Sequence, residues 1–342
     1  MADRPFDLQS RDEEILAATI DGTEYTDEPQ SRIEYLLLEL KKVIEGGGGG
    51  GGHGHNGIFS GRDLTEEYTI EQMYEKIHDG SFDDLFLGDY FTKSITTDIY
   101  THFTGAEFDS GTTYYEMGGT INDRTWTETS DTEPQSGKTY ATKLTKTENV
   151  TLMFAAFDYY YNMGDTALTT HHAVLIPRGA GFAVPAKMNA INTTEGGYYN
   201  SDMHQLILPC YAKSLKTALN GHLLAHRSYL SNSVNATASS RAGGGIKGAV
   251  SGAMYVDTEL QLMSEQQVYG TEALTSSPYD IGLDYGKLPV FNYINPILYE
   301  KNDFWLRTVG STKWFAACFE NGFSGGRDAN DAHYARPLII FG

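Results

Sequence analysis

Cysteine is nearly missing from this 342-residue chain, where Cys210 and Cys318 are the whole supply and stand far apart in sequence. Without a CxxC pair there is no zinc ribbon or dithiol redox site to expect, and the two thiols read as free side chains of a protein folded in a reducing cytoplasm. Cations are scarce too. Lys and Arg number 25 against 45 Asp and Glu, a net charge of −20, which disfavours nucleic acid and anionic membrane as partners. No apolar run reaches the roughly 18 residues that a spanning helix requires. Asp3, Arg4, Asp7, Arg11 and Asp12 mix both charge signs ahead of any apolar stretch, so no signal peptide is expected.

Catalytic motifs are lacking as well. There is no GxSxG elbow, HExxH, phosphate loop or GxGxxG after a strand; Gly243 to Gly245 run into Ile246-Lys247-Gly248 rather than a Gly-Lys-Ser/Thr end. Asp280, Asp284 and Asp303 are isolated carboxylates that read as solvated surface. The chain is therefore expected to bind rather than catalyse. A depolymerase built on paired carboxylates is the enzymatic alternative, and a purely structural fibre or decoration protein is the other.

What the chain does have is material for a core. Apolar residues make up 40% and aromatic residues 12%, a globular rather than disordered composition, and the length suits one large or two ordinary domains. Residues 1–45 read as helical: Ile33, Leu37, Leu40 and Ile44 form a stripe widened by Leu36 and Val43, behind Asp27-Glu28-Pro29 as a start. That spacing fits a short coiled-coil seam. Gly46 to Gly52 follow without interruption, and such a run, the core of a linker over 46–56, tethers two independently placed units. An oligomerising or docking segment is expected ahead of it. His53 and His55, one residue apart, point to one side of an extended chain and form a candidate metal chelate; the other reading is a linker that contains histidine. No other cofactor is expected.

Thr69 and Gln72 are spaced as a capping box for a helix over Thr69 to His78, with Ile70, Met73, Tyr74 and Ile77 on one face. Strand patterns begin near Leu85, recur over Val150 to Tyr161 and again over Thr169 to Pro177. Between them, residues 100–149 are rich in Thr, Gly, Ser and Asp, and read as an inserted β-hairpin or small subdomain. His171-His172 do not chelate one ion, because neighbouring strand residues face opposite sides; one is expected buried and hydrogen-bonded, the other at the surface. A helix is expected over Ile207 to Leu219, with Leu208, Ala212, Leu215 and Leu219 inward, and a second over Leu260 to Val268. Asn232 to Gly252, rich in Ser, Ala, Asn and Gly, reads as a long exposed loop. Leu288-Pro289-Val290-Phe291 reads as a short core strand.

The chain is organised around its last forty or so residues. Phe304-Trp305-Leu306 and Pro337-Leu338-Ile339-Ile340-Phe341 read as buried strands at the two ends, and Asn321-Gly322 between them is the strongest hairpin signal present. The middle mixes aromatic rings, both charge signs and amides: Lys313, Trp314, Phe319, Glu320, Ser324, Arg327, Asp328 and Asn330. Binding loops on a rigid scaffold are built from such residues.

The order Gly88-Asp89-Tyr90, Met163-Gly164-Asp165, Thr170-His171-His172, Trp305-Leu306-Arg307, Phe315-Ala316, Asn321-Gly322 and Tyr334-x-Arg336-Pro337 resembles C-type-lectin-like domains of phage tail and receptor-binding proteins of gut bacteria. These are related in fold to the formylglycine-generating enzymes, and some are the variable proteins of diversity-generating retroelements. The resemblance implies an α+β fold: a C-type-lectin-like domain over 57–342 with a β-rich insertion, preceded by the N-terminal helical, coiled-coil-like segment and the glycine tether. It implies that Phe304, Trp305, Tyr334, Arg336 and Pro337 are frame residues, that His226 and Arg227 are structural, and that the ligand face is Ser311, Thr312, Lys313, Trp314, Cys318, Phe319, Glu320, Ser324, Arg327, Asp328 and Asn330. The two cysteines do not match those of the formylglycine-generating relatives, so no oxidase chemistry is implied.

Residues 1–45 also resemble attachment segments of phage fibres, and His-x-His pairs hold iron in some trimeric fibres. The expectation is thus a virion protein, made in the host cytoplasm and placed in a tail fibre or baseplate. It would be a homotrimer docked to other tail proteins through 1–45, recognising a protein or glycan receptor on the bacterial surface.

Overall fold

The computed structural model describes residues 54–103, 108–120, 123–179, 181–239, 247–271, 286–294 and 302–342. The segment 1–45, the glycine run, His53, Asp280 and Asp284 lie outside the described residues.

A single 3₁₀ turn at His55–Gly57 precedes α1 (Ile70–His78), whose capping box forms as its sequence predicts: Thr69 Oγ1 accepts from the Gln72 amide, and the Gln72 side chain accepts from the Thr69 amide. Ile70, Met73 and Ile77 are its buried face. The chain then runs into β1 (Tyr90–Phe103), β2 (Tyr114–Thr120), β3 (Asp123–Thr129) and β4 (Tyr140–Phe157). β1 pairs antiparallel with β4 along their length, and β2 pairs with both β3 and the start of β4. The expected insertion is thus an arm, in which the two core strands are prolonged outward and a hairpin is added to their end. Alternation shows in β1, where Phe91, Ile95, Thr97 and Ile99 are buried and their neighbours are not.

β5 (Ala173–Pro177) pairs with β4, so the strand from Gly88-Asp89-Tyr90, the one leading to Met163-Gly164-Asp165 and the one after Thr170-His171-His172 lie side by side. After β6 (Ala186–Lys187), a π-helical turn at Met203–Ile207 leads directly into α2 (Leu208–Ala218). Then come β7 (Leu223–Leu224), β8 (His226–Ser239), β9 (Lys247–Thr258), β10 (Leu260–Leu262) and α3 (Glu265–Tyr269). β11 (Phe304–Val309), β12 (Trp314–Cys318), β13 (Ser324–Asp328), β14 (Ala332–His333) and β15 (Pro337–Phe341) complete the chain.

The result is a β-rich α+β fold around a sheet of order β10-β15-β5-β4-β2-β3, with β1 also on β4 and β7 on β15. Its central strands are apolar on both faces because both faces are covered. Leu152, Phe154, Leu175, Ile339 and Phe341 point into one core with α1 and α2; Met153, Ala155, Val174, Ile176, Leu338 and Ile340 point into another with Val268, Val290 and Phe291. This explains why β5 and β15 read as unbroken apolar runs rather than alternating ones.

Three expectations are corrected. Residues 232–252 are mostly not a loop, since β8 and β9 form a two-stranded ribbon whose inward Leu230 and Val250 anchor it to the core. Leu260-Gln261-Leu262 is a strand paired with β15, and only Glu265–Tyr269 is helical. Pro289–Asn292 is a 3₁₀ turn with Val290 and Phe291 buried, not a strand.

Candidate ligand-binding site

β11, β12 and β13 form a separate antiparallel sheet, and its inner residues explain its rigidity. All of Phe304 to Val309 is buried, and Phe315, Ala316, Ala317 and Cys318 follow on β12. The Trp305 indole N–H donates to the Ala186 carbonyl at 2.8 Å. The expected frame thus behaves as frame: Arg336 is buried, its Nε–H donates to the Pro177 carbonyl at 3.0 Å, and its guanidinium lies 4.8 Å over Phe304.

The loop joining β11 to β12 is pinned on both sides. Ser311 Oγ accepts from the Lys313 and Trp314 amides. Thr194 Oγ1 donates to the Ser311 carbonyl at 2.6 Å, and the Ala329 amide donates to the Lys313 carbonyl at 2.8 Å. This fixed backbone presents Lys313 and Trp314 outward, Trp314 being 41% exposed.

Two consecutive glycines shape β13. A Cβ on Gly325 would stand 2.5 Å from Phe319 Cζ, and one on Gly326 3.1 Å from Trp314 Cε3. Successive strand residues face opposite sides, so the pair seats one aromatic ring on each face. At the Asn321-Gly322 turn, the Phe323 amide donates to Asn321 Oδ1 and Gly322 has a φ of +93°, a conformation that glycine adopts without penalty. The turn leaves Phe323 64% exposed.

A charged clasp ties the turn end of this hairpin to the residue that precedes β11. Arg327 Nη2 donates to Asp303 Oδ2 at 2.7 Å while its guanidinium lies 4.0 Å over Phe319, and Asp303 Oδ1 accepts from the Glu320 amide at 2.8 Å. His333 Nδ1 is 3.9 Å from Asp303 Oδ2, and burial lowers its pKa.

The structure therefore divides the expected ligand face. Lys313, Trp314, Glu320 and Asn330 are exposed; Thr312, Phe319, Ser324, Arg327 and Asp328 are half-buried. Phe319 and Arg327 are engaged with each other, and Ser324 Oγ donates to the fully buried Glu265 carboxylate. Two residues leave the set. Cys318 is wholly buried, with its thiol pushed up to about 11 by burial, so it is core rather than ligand contact. Ser311 is buried too and holds its own loop. Sequence reasoning missed Phe323, for which the preceding Asn-Gly turn was the signal.

The histidines are structural where they are described. The His55 ring is buried among Phe82, Phe86 and Phe157, with Nδ1 2.8 Å from the Leu85 carbonyl, rather than free in a linker. His172 is buried as expected, while His171, expected at the surface, is half-buried, and Asp158 joins them: Oδ1 accepts from the His172 amide and Oδ2 lies 2.8 Å from His171 Nδ1. His226 is buried, and Arg227 forms a two-point pair with Asp165 at 2.7 and 3.0 Å. Among the described residues, no group of three or more His, Cys, Asp or Glu is placed to hold a metal. No described helix is long and apolar enough to cross a membrane.

No protein-family model, curated protein or solved structure matches this chain.

Proposed function

We propose that this chain is a receptor-binding protein of a phage virion, and that its terminal hairpins recognise a ligand on the bacterial surface. The observation that supports this reading is the contrast within the β11–β13 sheet. Its inner residues are completely buried, yet Trp314 is exposed at one end of the β12–β13 pair with Lys313 and Asn330, and Phe323 at the turn end with Glu320. Large exposed aromatic side chains next to mixed charge are a usual composition of recognition surfaces, and the pinned loop removes part of the ordering cost of binding. In this reading the domain is C-type-lectin-like, the N-terminal segment docks to the tail and trimerises, and weak single sites gain by avidity.

The test is binding of the purified chain to whole cells of a panel of gut bacteria, beside a variant with Lys313, Trp314, Glu320 and Phe323 changed to Ala. Selective binding lost in a variant with an unchanged unfolding curve supports the proposal. Equal binding by both proteins, or binding to no strain, removes the hairpins as the site. Sedimentation of the full chain against a chain starting at residue 54 tests the trimer.

A further inference from the structure

Where the β1–β4 arm meets the body of the domain there is a cleft of about 530 Å³. This lies within the range of roughly 300–1,000 Å³ typical of small-molecule sites. Thr101 and Thr142 line it from the arm, Asp109 from the segment before β2, and Lys187 and Asp202 from the body. Its floor includes the buried Leu206 and Ile207, the last residues of the π-helical turn. Such turns are rare and frequent at functional sites. This one is held in place: Asp202 Oδ2 accepts from the Ala190 amide at 2.8 Å, the Asp202 amide donates to Asn189 Oδ1 at 3.0 Å, and the Met203 amide donates to the Met188 carbonyl at 3.1 Å. Asp109 and Lys187 are exposed and both line the cleft.

We infer that this cleft is a separate binding site for a short saccharide carrying neutral or amino-substituted rings. Ring hydroxyls both donate and accept. The cleft supplies acceptors in its carboxylates, a donor in Lys187 and groups of either kind in the threonine hydroxyls. The aliphatic floor suits the C–H face of a ring. The exposed Asp109 carboxylate in the lining disfavours an acidic sugar. The cleft also takes in Ala332, whose strand pairs with β6 at Lys187, so the site adjoins the end of the terminal hairpin segment without using Trp314 or Phe323.

The experiment is a titration of the full chain by calorimetry and saturation-transfer NMR. The probes are N,N′-diacetylchitobiose, chitobiose, maltotriose, a glucuronic-acid disaccharide and an Ala-Gly-Ala peptide. At least one neutral or amino saccharide is expected to bind, with affinity reduced at least about tenfold by Ala332→Trp, which fills the cleft. The paired surface changes Asp109→Asn and Lys187→Ala are expected to weaken it as well, and they decide the matter should the Trp variant unfold. Binding is expected to survive Trp314→Ala with Phe323→Ala, which separates this site from the receptor-binding reading. The inference is overturned by binding to none of the saccharides, by binding to the peptide alone or the acidic disaccharide alone, by binding that the cleft variants leave intact, or by loss only in the hairpin variant.

Discussion

Arg327 lies over the ring of Phe319 with 4.0 Å between guanidinium carbon and ring centroid, and the same guanidinium reaches Asp303 at 2.7 Å. One cation thus holds both the turn residue that follows β12 and the residue that precedes β11. The turn end of the β12–β13 hairpin is held to β11 by this contact, while Phe323 in the same turn stays exposed.

Arg327→Ala is expected to destabilise the protein by about 1 kcal/mol, the size of a partly exposed cation–π contact with a screened ion pair. Arg327→Lys should restore only part, because an ammonium loses the flat stacking of the guanidinium. Urea unfolding measures both. A cycle with Asp303→Asn should show non-additivity; additive losses would mean that the clasp does not act as a unit.

Gly325→Ala brings a methyl group against Phe319, and the cost should be about 1–3 kcal/mol, as for overpacking generally. In a Phe319→Ala background the same change should cost little. Gly326→Ala is milder, with 3.1 Å to Trp314 Cε3, and should appear chiefly as a shift in tryptophan emission. Equal costs of Gly325→Ala in both backgrounds would rule out the ring contact as the cause.

Stability should fall as the medium is acidified. Burial, with smaller contributions from His172 and Arg307, holds the His226 pKa down at about 3, and burial lowers His172 in the same direction. Gln261 Nε2 donates to His226 Nε2 at 2.7 Å, a bond that requires the neutral ring. A histidine whose folded pKa lies below its unfolded value of about 6.5 gains its proton only on unfolding. Its contribution is therefore complete above about pH 6.5 and is lost as pH drops toward 3. Urea midpoints followed across that window should decline, and His226→Gln should flatten the decline. An unchanged slope in the variant would locate the acid sensitivity elsewhere.

Asp158 has a φ of +51° and serves both His171 and the His172 amide. Asn tolerates that backbone and keeps one acceptor, so Asp158→Asn should cost about 1 kcal/mol. Asp158→Ala loses both acceptors and the tolerance, and about 2–4 kcal/mol is expected. Thermal unfolding of the two variants gives the ranking, and a reversed order would show that charge rather than hydrogen bonding governs the site.

Much of the fold was legible. Unbroken apolar runs such as Ala173–Pro177 and Pro337–Phe341 can be satisfied only where both faces are covered, so they announce central strands from composition alone. The capping box at Thr69 and Gln72 is a local device within four residues, and it formed as written. The inward spacing of Leu208, Ala212 and Leu215 on α2 was equally local.

What the tertiary structure decided was pairing. Residues 232–252 carry few apolar side chains, and β8 and β9 exist because each supplies the other's backbone hydrogen bonds while Leu230 and Val250 anchor them. Leu260-Gln261-Leu262 is compatible with a helix by spacing, and the exposed backbone of β15 claimed it as a strand instead. Cys318 lies in a turn-rich stretch, yet it shares a strand face with the buried Ala316 and is core for that reason. Phe323 stays outside because Gly322 turns the chain before the ring can be covered. By itself the sequence determined local periodicity, caps, turns and the rigid frame. Which residues ended at the open rim, and that the arm encloses a cleft with β6 and the π-helical turn, followed from contacts between segments distant in the chain.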